Sequence, residues 1–282
     1  MLGTSPLVLV TIDGHRVGYD DSGGDGVPLV LLHGFPLERA LWDAQMPALA
    51  GTRVIRVDLR GCGESDPSDG PALMELLAGD VAGVLDALHV ERAALVGHSV
   101  GGYVSLAFFR MYAERVAGLA LVASHVAADA AHNPNADEAQ RTLGASRDAL
   151  IARLEAENMM EAAVESYLPR YFAPSFYAAN PDVVERTGAM MLRQNPRGCA
   201  QLQRGMKERL DSHDLLDDIR VPALILAGEL DAYINPATLR ETAAALREGE
   251  FVQLDGVGHT PMVEAPDRTA DALAAFAQRV RG

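Results

Sequence analysis

The stretch that most constrains the fold is Ala93-Ala94-Leu95-Val96-Gly97-His98-Ser99-Val100-Gly101-Gly102. An apolar run of strand type stops at Gly97, and helical spacing is under way by Val104. A buried strand must therefore reverse into a helix within a few residues, which forces strained backbone at the serine. Gly97 and Gly101 carry no Cβ, so strand and helix can approach closely at the bend. The Ser99 hydroxyl would project from the sheet edge. The Val100 N–H would lie at a helix N-terminus, where donors are unpaired and negative charge is favoured. One turn thus offers a nucleophile and a donor for an oxyanion, the arrangement of a nucleophile elbow. The five-residue pattern alone also fits a loop that merely joins two elements; the strand and helix on either side favour the elbow.

Around this bend the chain alternates between two periods. Residues 7–12 and 16–20 read as strands joined at Asp13-Gly14, a hairpin signal. Strand patterns recur at 28–32, 54–58, 93–96, 116–122, 223–227 and 251–254, several of them wholly apolar, as suits strands covered on both faces. Helical spacing covers 42–49, 73–88, 104–112, 236–246 and 266–280. The expectation is an α/β fold: a mostly parallel eight-stranded sheet with a hairpin at its beginning and helices on both faces. Sites in such sheets lie beyond the carboxyl ends of the strands, where the loops at 33–36, 58–66 and 97–101 fall.

Between 124 and 211 the character changes. Helical patterns at 139–158, 160–167, 181–194 and 197–209 follow one another without strands, punctuated by Asn133-Pro134-Asn135 and Asn195-Pro196. The predicted organisation is a core formed by 1–123 and 212–282, with 124–211 as an inserted helical cap or lid. The insert carries Tyr167, Tyr171, Phe172, Phe176 and Tyr177 in one short segment, besides Met159, Met160, Met190 and Met191. These residues either line a chamber or pack the insert onto the core.

The formal charge is −15, from 39 acidic and 24 basic residues. That balance disfavours nucleic acid and anionic membranes as partners. Two cysteines, Cys62 and Cys199, make no disulfide framework, and their spacing suits no metal site. No basic segment followed by an apolar run opens the sequence, and no apolar stretch reaches membrane-spanning length. The expectation is a cytoplasmic protein without metal or cofactor, acting on a small molecule; its oligomeric state is open.

Serine needs an adjacent base to become a nucleophile, and the base needs an acid to fix its tautomer. Asp231 and His259 each follow a predicted strand on a short loop at the same sheet edge. With Ser99 they come in the chain order Ser, Asp, His, the order of α/β-hydrolases. Glu229 is the alternative acid. Asp58 also follows a strand but precedes the serine and suits bracing the 58–66 loop. Among the other histidines, His33 suits bracing the loop after residues 28–32, and His98 suits packing within the bend. His125 is a candidate for touching substrate. His15, His89, His132 and His213 fall in turn or surface contexts. Trp42 and Tyr233 are candidates for a pocket wall or for packing elsewhere.

Taken together, the chain resembles the serine α/β-hydrolase superfamily along nearly its whole length. His33-Gly34-Phe35-Pro36 is similar to that family's oxyanion loop. Asp58-Leu59-Arg60-Gly61-Cys62-Gly63-Glu64-Ser65 is similar to its glycine loop, with Cys62 where histidine is more usual. Gly228-Glu229-Leu230-Asp231 and Gly258-His259 match its acid and base loops. The nearer likeness is to esterases, enol-lactonases and cofactor-free perhydrolases with a helical cap. The resemblance implies a second oxyanion donor at the Phe35 N–H. It also implies hydrolysis of an ester or lactone through an acyl-enzyme, and the aromatic residues of the insert, where they face Ser99, point to a small to medium, largely apolar one. A carbon–carbon bond hydrolase of a ring-cleavage diketone or a perhydrolase would use the same residues, and a slow or inactive ligand receptor could use the same fold. By their positions in the chain, the candidate pocket residues are Trp42, His125, Tyr167, Tyr171, Phe172 and Tyr233.

Overall fold

The structure is a computed structural model and describes residues 7–129 and 138–281. His132 and Asn133-Pro134-Asn135 lie outside the described residues. A hairpin of β1 (Val8–Ile12) and β2 (His15–Asp21) turns at Asp13-Gly14, where both residues have positive φ. There follow β3 (Leu29–Leu32), β4 (Val54–Val57), α1 (Met74–Ala87), β5 (Ala93–His98), α2 (Val100–Tyr112) and β6 (Val116–Val122). Five helices come next: α3 (Glu138–Glu157), α4 (Glu161–Tyr171), α5 (Pro174–Ala179), α6 (Pro181–Leu192) and α7 (Pro196–Lys207). The chain then closes with β7 (Ala223–Gly228), α8 (Pro236–Ala245), β8 (Gly249–Leu254), α9 (Pro261–Glu264) and α10 (Pro266–Arg281).

The eight strands form one sheet in the order β1-β2-β4-β3-β5-β6-β7-β8. The β1–β2 and β2–β4 pairs are antiparallel, and β4 through β8 run parallel. The apolar runs that look uniform in sequence divide by alternation between two cores. Val30, Leu32, Ile55, Val57, Leu95, Leu119 and Ile225 face one side, where Leu77 and Val81 of α1 and Val104 and Phe108 of α2 cover them. Leu29, Leu31, Val54, Val96, Ala120, Leu224 and Leu226 face the other, against Trp42 and against Leu273 and Phe276 of α10. Each buried Val, Leu, Ile or Phe among these contributes roughly 1.5–3 kcal/mol, so a one-residue slip of any central strand would be costly.

The helical stretch α3–α7 leaves the sheet after β6 and returns to β7, its neighbour in the sheet. Helix α2 begins at Val100, earlier than the apolar spacing suggests, because Ser99 itself makes the turn and its carbonyl accepts the Gly102 N–H at 2.9 Å. The helix expected at 42–49 is instead a 3₁₀ segment, Arg39–Gln45, followed by turns. Helix α4 runs on through Pro169 to Tyr171, and the short helices α5 and α9 have no counterpart in the sequence reading. Both are four to six residues long and open on a proline, too short for periodicity to reveal.

Candidate active site

Four strand ends, those of β3, β5, β7 and β8, build the site. β3 and β5 are in parallel register with Leu32 opposite Gly97, so Phe35 and Val100 each stand three residues beyond a paired position. Ser99 has φ 51° and ψ −115°, a conformation that costs a non-glycine residue on the order of 1–3 kcal/mol. Its surroundings fix it there. The Ser99 N–H donates to the Val122 carbonyl at 3.0 Å, and the Ser124 hydroxyl donates to the Ser99 carbonyl at 2.7 Å. A Cβ at Gly97 would come within 2.3 Å of Gly101 backbone, and one at Gly101 within 2.5 Å of the Leu32 carbonyl oxygen. The sharp bend thus requires both glycines. Val100 is the first residue of α2, where an N–H has no partner within the helix.

Asp231 and His259 meet across the ends of β7 and β8. His259 Nδ1 lies 2.8 Å from Asp231 Oδ2, and the two side chains are 4% and 1% exposed. The other carboxylate oxygen, Oδ1, accepts the N–H groups of Tyr233 at 2.8 Å and Ile234 at 3.1 Å. A carboxylate held by two backbone donors and facing the imidazole sets Nδ1 as the protonated nitrogen and leaves Nε2 with a lone pair able to accept a proton. Glu229 takes no part. It is exposed, and its carboxylate accepts the Gly256 N–H at 2.8 Å in the turn after β8.

The His259 loop is tied to the helical stretch above it. The His259 N–H donates to the Tyr171 carbonyl at 2.9 Å, and the Thr260 hydroxyl to the same carbonyl at 3.1 Å. The Glu264 carboxylate accepts the N–H of Ala173 at 2.7 Å and that of Gly258 at 3.0 Å. Burial pushes the Glu264 carboxyl up, and the N–H groups of Ala173, Gly258 and Thr260 oppose that shift. From below, His98 Nε2 donates to the His259 carbonyl at 2.8 Å. Burial drives the His98 pKa well down, and the neighbouring His259 adds to this, so the ring is neutral. His33 bridges two loops: its Nδ1 donates to the Gly34 carbonyl at 2.8 Å, and its Nε2 accepts the Leu59 N–H at 2.9 Å. Cys62 and Cys199 are both buried and free. The contact with Cys199, together with burial, raises the Cys62 thiol well above its ordinary range.

A cavity opens at Ser99, with about 400 Å³ of atom-free space between its walls, part of it open to solvent. Ser99, His259 and Phe35 form its floor. Tyr167, Tyr171, Tyr233 and His125 line it, as the sequence suggests. The aromatic wall is continuous: Tyr167 stacks on Tyr233 with centroids 5.6 Å apart, and Phe35 meets Tyr167 edge-on at 5.1 Å. Burial raises the phenols of Tyr171 and Tyr233, so both remain neutral. Two expected wall residues lie elsewhere. Trp42 is fully buried in the core on the far face of the sheet, where the 3₁₀ segment places it. Phe172 stacks on Phe176 at 5.5 Å, because the chain turns extended after Tyr171 and directs its ring away from the cavity.

The walls also include Tyr103, Arg147, Met206 and Ile234, none of which the sequence reading singles out. Two had a local signal: Tyr103 follows Ser99 by one helical turn, and Ile234 lies on the Asp231 loop. Arg147 and Met206, on α3 and α7, had none. The wall of the cavity therefore holds a buried guanidinium, that of Arg147. His125 is neutral beside it, its pKa driven well down by burial and then by Arg209 and Arg147.

Sheet order, strained serine turn and loop placement together define a class, and residues 27–266 match the model of the alpha/beta hydrolase fold. The chain belongs to that family and is a hydrolase. It is similar to an esterase from Thermogutta terrifontis, with 34% identity, a TM-score of 0.89 and coverage of 99% of this chain and 100% of that one. It is also similar to the enol-lactonase from Burkholderia xenovorans LB400, with 26% identity, a TM-score of 0.85 and coverage of 96% and 100%. Among sequences, a 2-hydroxy-6-oxononadienedioate/2-hydroxy-6-oxononatrienedioate hydrolase of Paraburkholderia phymatum is 30% identical over 278 residues, covering 93% of this chain and 90% of that protein.

Proposed function

We propose that this protein is a serine hydrolase that cleaves a small to medium carboxylic ester or lactone, with α3–α7 as a helical lid over the site. The carrying observation is the buried Asp231–His259 contact at 2.8 Å beside a serine held at φ 51° in the same cavity. Ser99 Oγ attacks the carbonyl carbon while His259 Nε2 takes its proton. Asp231 holds the Nδ1–H and stabilises the imidazolium. The N–H groups of Phe35 and Val100 receive the negative charge on the tetrahedral oxygen, where loss of one donor typically costs about 10²–10³ in turnover. His259 then returns the proton to the leaving alkoxide. A water, deprotonated by the same nitrogen, releases the acid and restores Ser99. The aromatic wall of Tyr167, Tyr171 and Tyr233 would seat the acyl part.

A second reading keeps these residues and changes the bond. The P. phymatum relative is named for the hydrolysis of a 2-hydroxy-6-oxo compound, so carbon–carbon cleavage of such a diketone is the alternative. An organophosphonate probe tests the nucleophile in either case. Intact-mass measurement is expected to show one added label, absent in Ser99→Ala; a label that persists in Ser99→Ala removes Ser99 as the nucleophile. Rates on a ring-cleavage diketone far above those on any ester would select the second reading.

A further inference from the structure

We infer that the substrate carries a free carboxylate, held by Arg147 in the wall of the Ser99 cavity. The inference rests on the reading of that cavity as the active site, and it names the substrate class. Arg147 is only 4% exposed, yet it lines the same cavity as Ser99 and His259. Two of its three nitrogens are engaged. Nε donates to Asp129 Oδ2 at 3.0 Å, and Nη1 donates to Gln203 Oε1 at 2.9 Å and lies 3.5 Å from Met206 Sδ. No acceptor among the described residues takes the N–H groups of Nη2.

Charge is also unbalanced here. Asp129 Oδ2 serves a second buried guanidinium, Arg209, whose Nη1 lies 2.9 Å away. Arg209 is spent on the carbonyls of Ala127 and Met206 and lies over the Tyr103 ring. Asp211, the next acid, accepts from Ala128 and His213. Two guanidiniums thus share one carboxylate, and His125 between them is neutral. An incompletely neutralised guanidinium in a low-dielectric wall strongly favours an incoming anion. The local sign is opposite to the net charge of the chain, −15, so general electrostatics does not explain it.

The neighbours point to a planar anion. Gln203 Nε2 donates to the Tyr167 hydroxyl at 2.8 Å, which leaves the hydroxyl hydrogen of Tyr167 to be donated onward. Tyr167 is itself a cavity residue. The pairing of one open guanidinium nitrogen with one hydroxyl donor suits two carboxylate oxygens better than the fuller donor set a phosphate requires.

The test compares p-nitrophenyl valerate with mono-p-nitrophenyl glutarate, in which a carboxylate replaces the terminal methyl, together with the succinate and adipate homologues. At least one acid ester is expected to exceed its neutral counterpart in kcat/KM by 10-fold or more. In Arg147→Met that ratio is expected to fall by at least 30-fold, mainly through KM, with Arg147→Lys in between. A wild-type ratio near one across the series, or an Arg147→Met ratio equal to that of wild type while both rates fall, overturns the inference and marks Arg147 as a brace between α3 and α7. Binding of monomethyl glutarate and of dimethyl glutarate to the Ser99→Ala protein, followed by calorimetry, separates the two readings. Acid-selective binding that Arg147→Met abolishes, without phosphonate labelling of Ser99, sustains the anion site and sinks the serine mechanism. Labelling with no preference for the acid does the reverse. Should Arg147→Met fail to fold, the same ratio in Arg147→Lys decides.

Discussion

Asp231 shows how one side chain is positioned by more than its partner. One carboxylate oxygen faces His259, and the other is fixed by two backbone N–H groups, so the carboxylate cannot rotate away from the imidazole. In the proposed mechanism the Asp231→Asn enzyme folds but presents the wrong histidine tautomer. Its kcat is expected to fall by about 10⁴, the loss typical of such triads. Glu229→Gln, which alters only an exposed turn contact, is expected to stay within a few-fold of wild type. Steady-state kinetics on one activated ester decide the matter: a crippled Glu229→Gln beside a mild Asp231→Asn would reverse the assignment.

The strand-end loops do not hold their residues alone. Glu264, on α9, joins Gly258 and Thr260 to Ala173, and so fastens the base loop to the junction of α4 and α5. A Cβ at Gly258 would come within 2.5 Å of the Ala173 nitrogen, which shows how closely the two segments pass. Glu264→Ala would strand at least two buried N–H groups, each worth about 1–3 kcal/mol. The expected result is a lower melting temperature and kcat/KM reduced 10-fold or more at temperatures where the variant is still folded. Unchanged values of both would mean that the connection does not position His259. On the other side, the insert is fixed to the core by α7. Its first turn, capped by Asn195 accepting the Gly198 N–H at 2.9 Å, places Gly198 against Gly61 of the glycine loop.

At the scale of the molecule, two consequences follow from the layered core. His33 and His98 are buried and His125 is half-buried, all three with lowered pKa values, whereas in the unfolded chain they titrate near about 6.5. Below that pH the unfolded state binds more protons than the native one, so stability is full above about 6.5 and declines as pH falls toward the native pKa values. Asp58, Asp80 and Glu264, raised by burial, act in the opposite sense in the carboxylate range. The comparison is therefore made between variants. In urea unfolding between pH 7 and 5, His125→Asn is expected to lose stability more shallowly than wild type, by up to about 1.4 kcal/mol per pH unit. Parallel slopes would remove His125 from the account. The second consequence concerns size. The space at Ser99, about 400 Å³ with part of it open to solvent, leaves little room for a long acyl chain. The kcat/KM of p-nitrophenyl esters from acetate to palmitate is expected to peak below twelve carbons, and a peak at twelve or beyond would mean that the insert opens.

The sequence by itself determined the sheet and the loops that gather at the carboxyl ends of its strands. Strand and helix periods are local, and the glycines at 97 and 101 announce a bend that only a close strand–helix contact requires. Ser99, Asp231 and His259 could be expected to meet because each stands within a few residues of a strand's carboxyl end, and parallel strands bring those ends to one edge. The tertiary structure alone decided what faces that edge. Trp42 and Phe172 are large and apolar, and that property serves a core as well as a pocket; they went to the core because the 3₁₀ segment and the turn after α4 aim them there. Arg147 offered no local sign at all. A charged residue on a helix reads as solvated, and its burial depends on Asp129, beyond β6, and on Gln203 and Met206 of α7, two distant stretches brought to α3. Periodicity specifies that a face is buried, and only the packing of distant elements specifies against what.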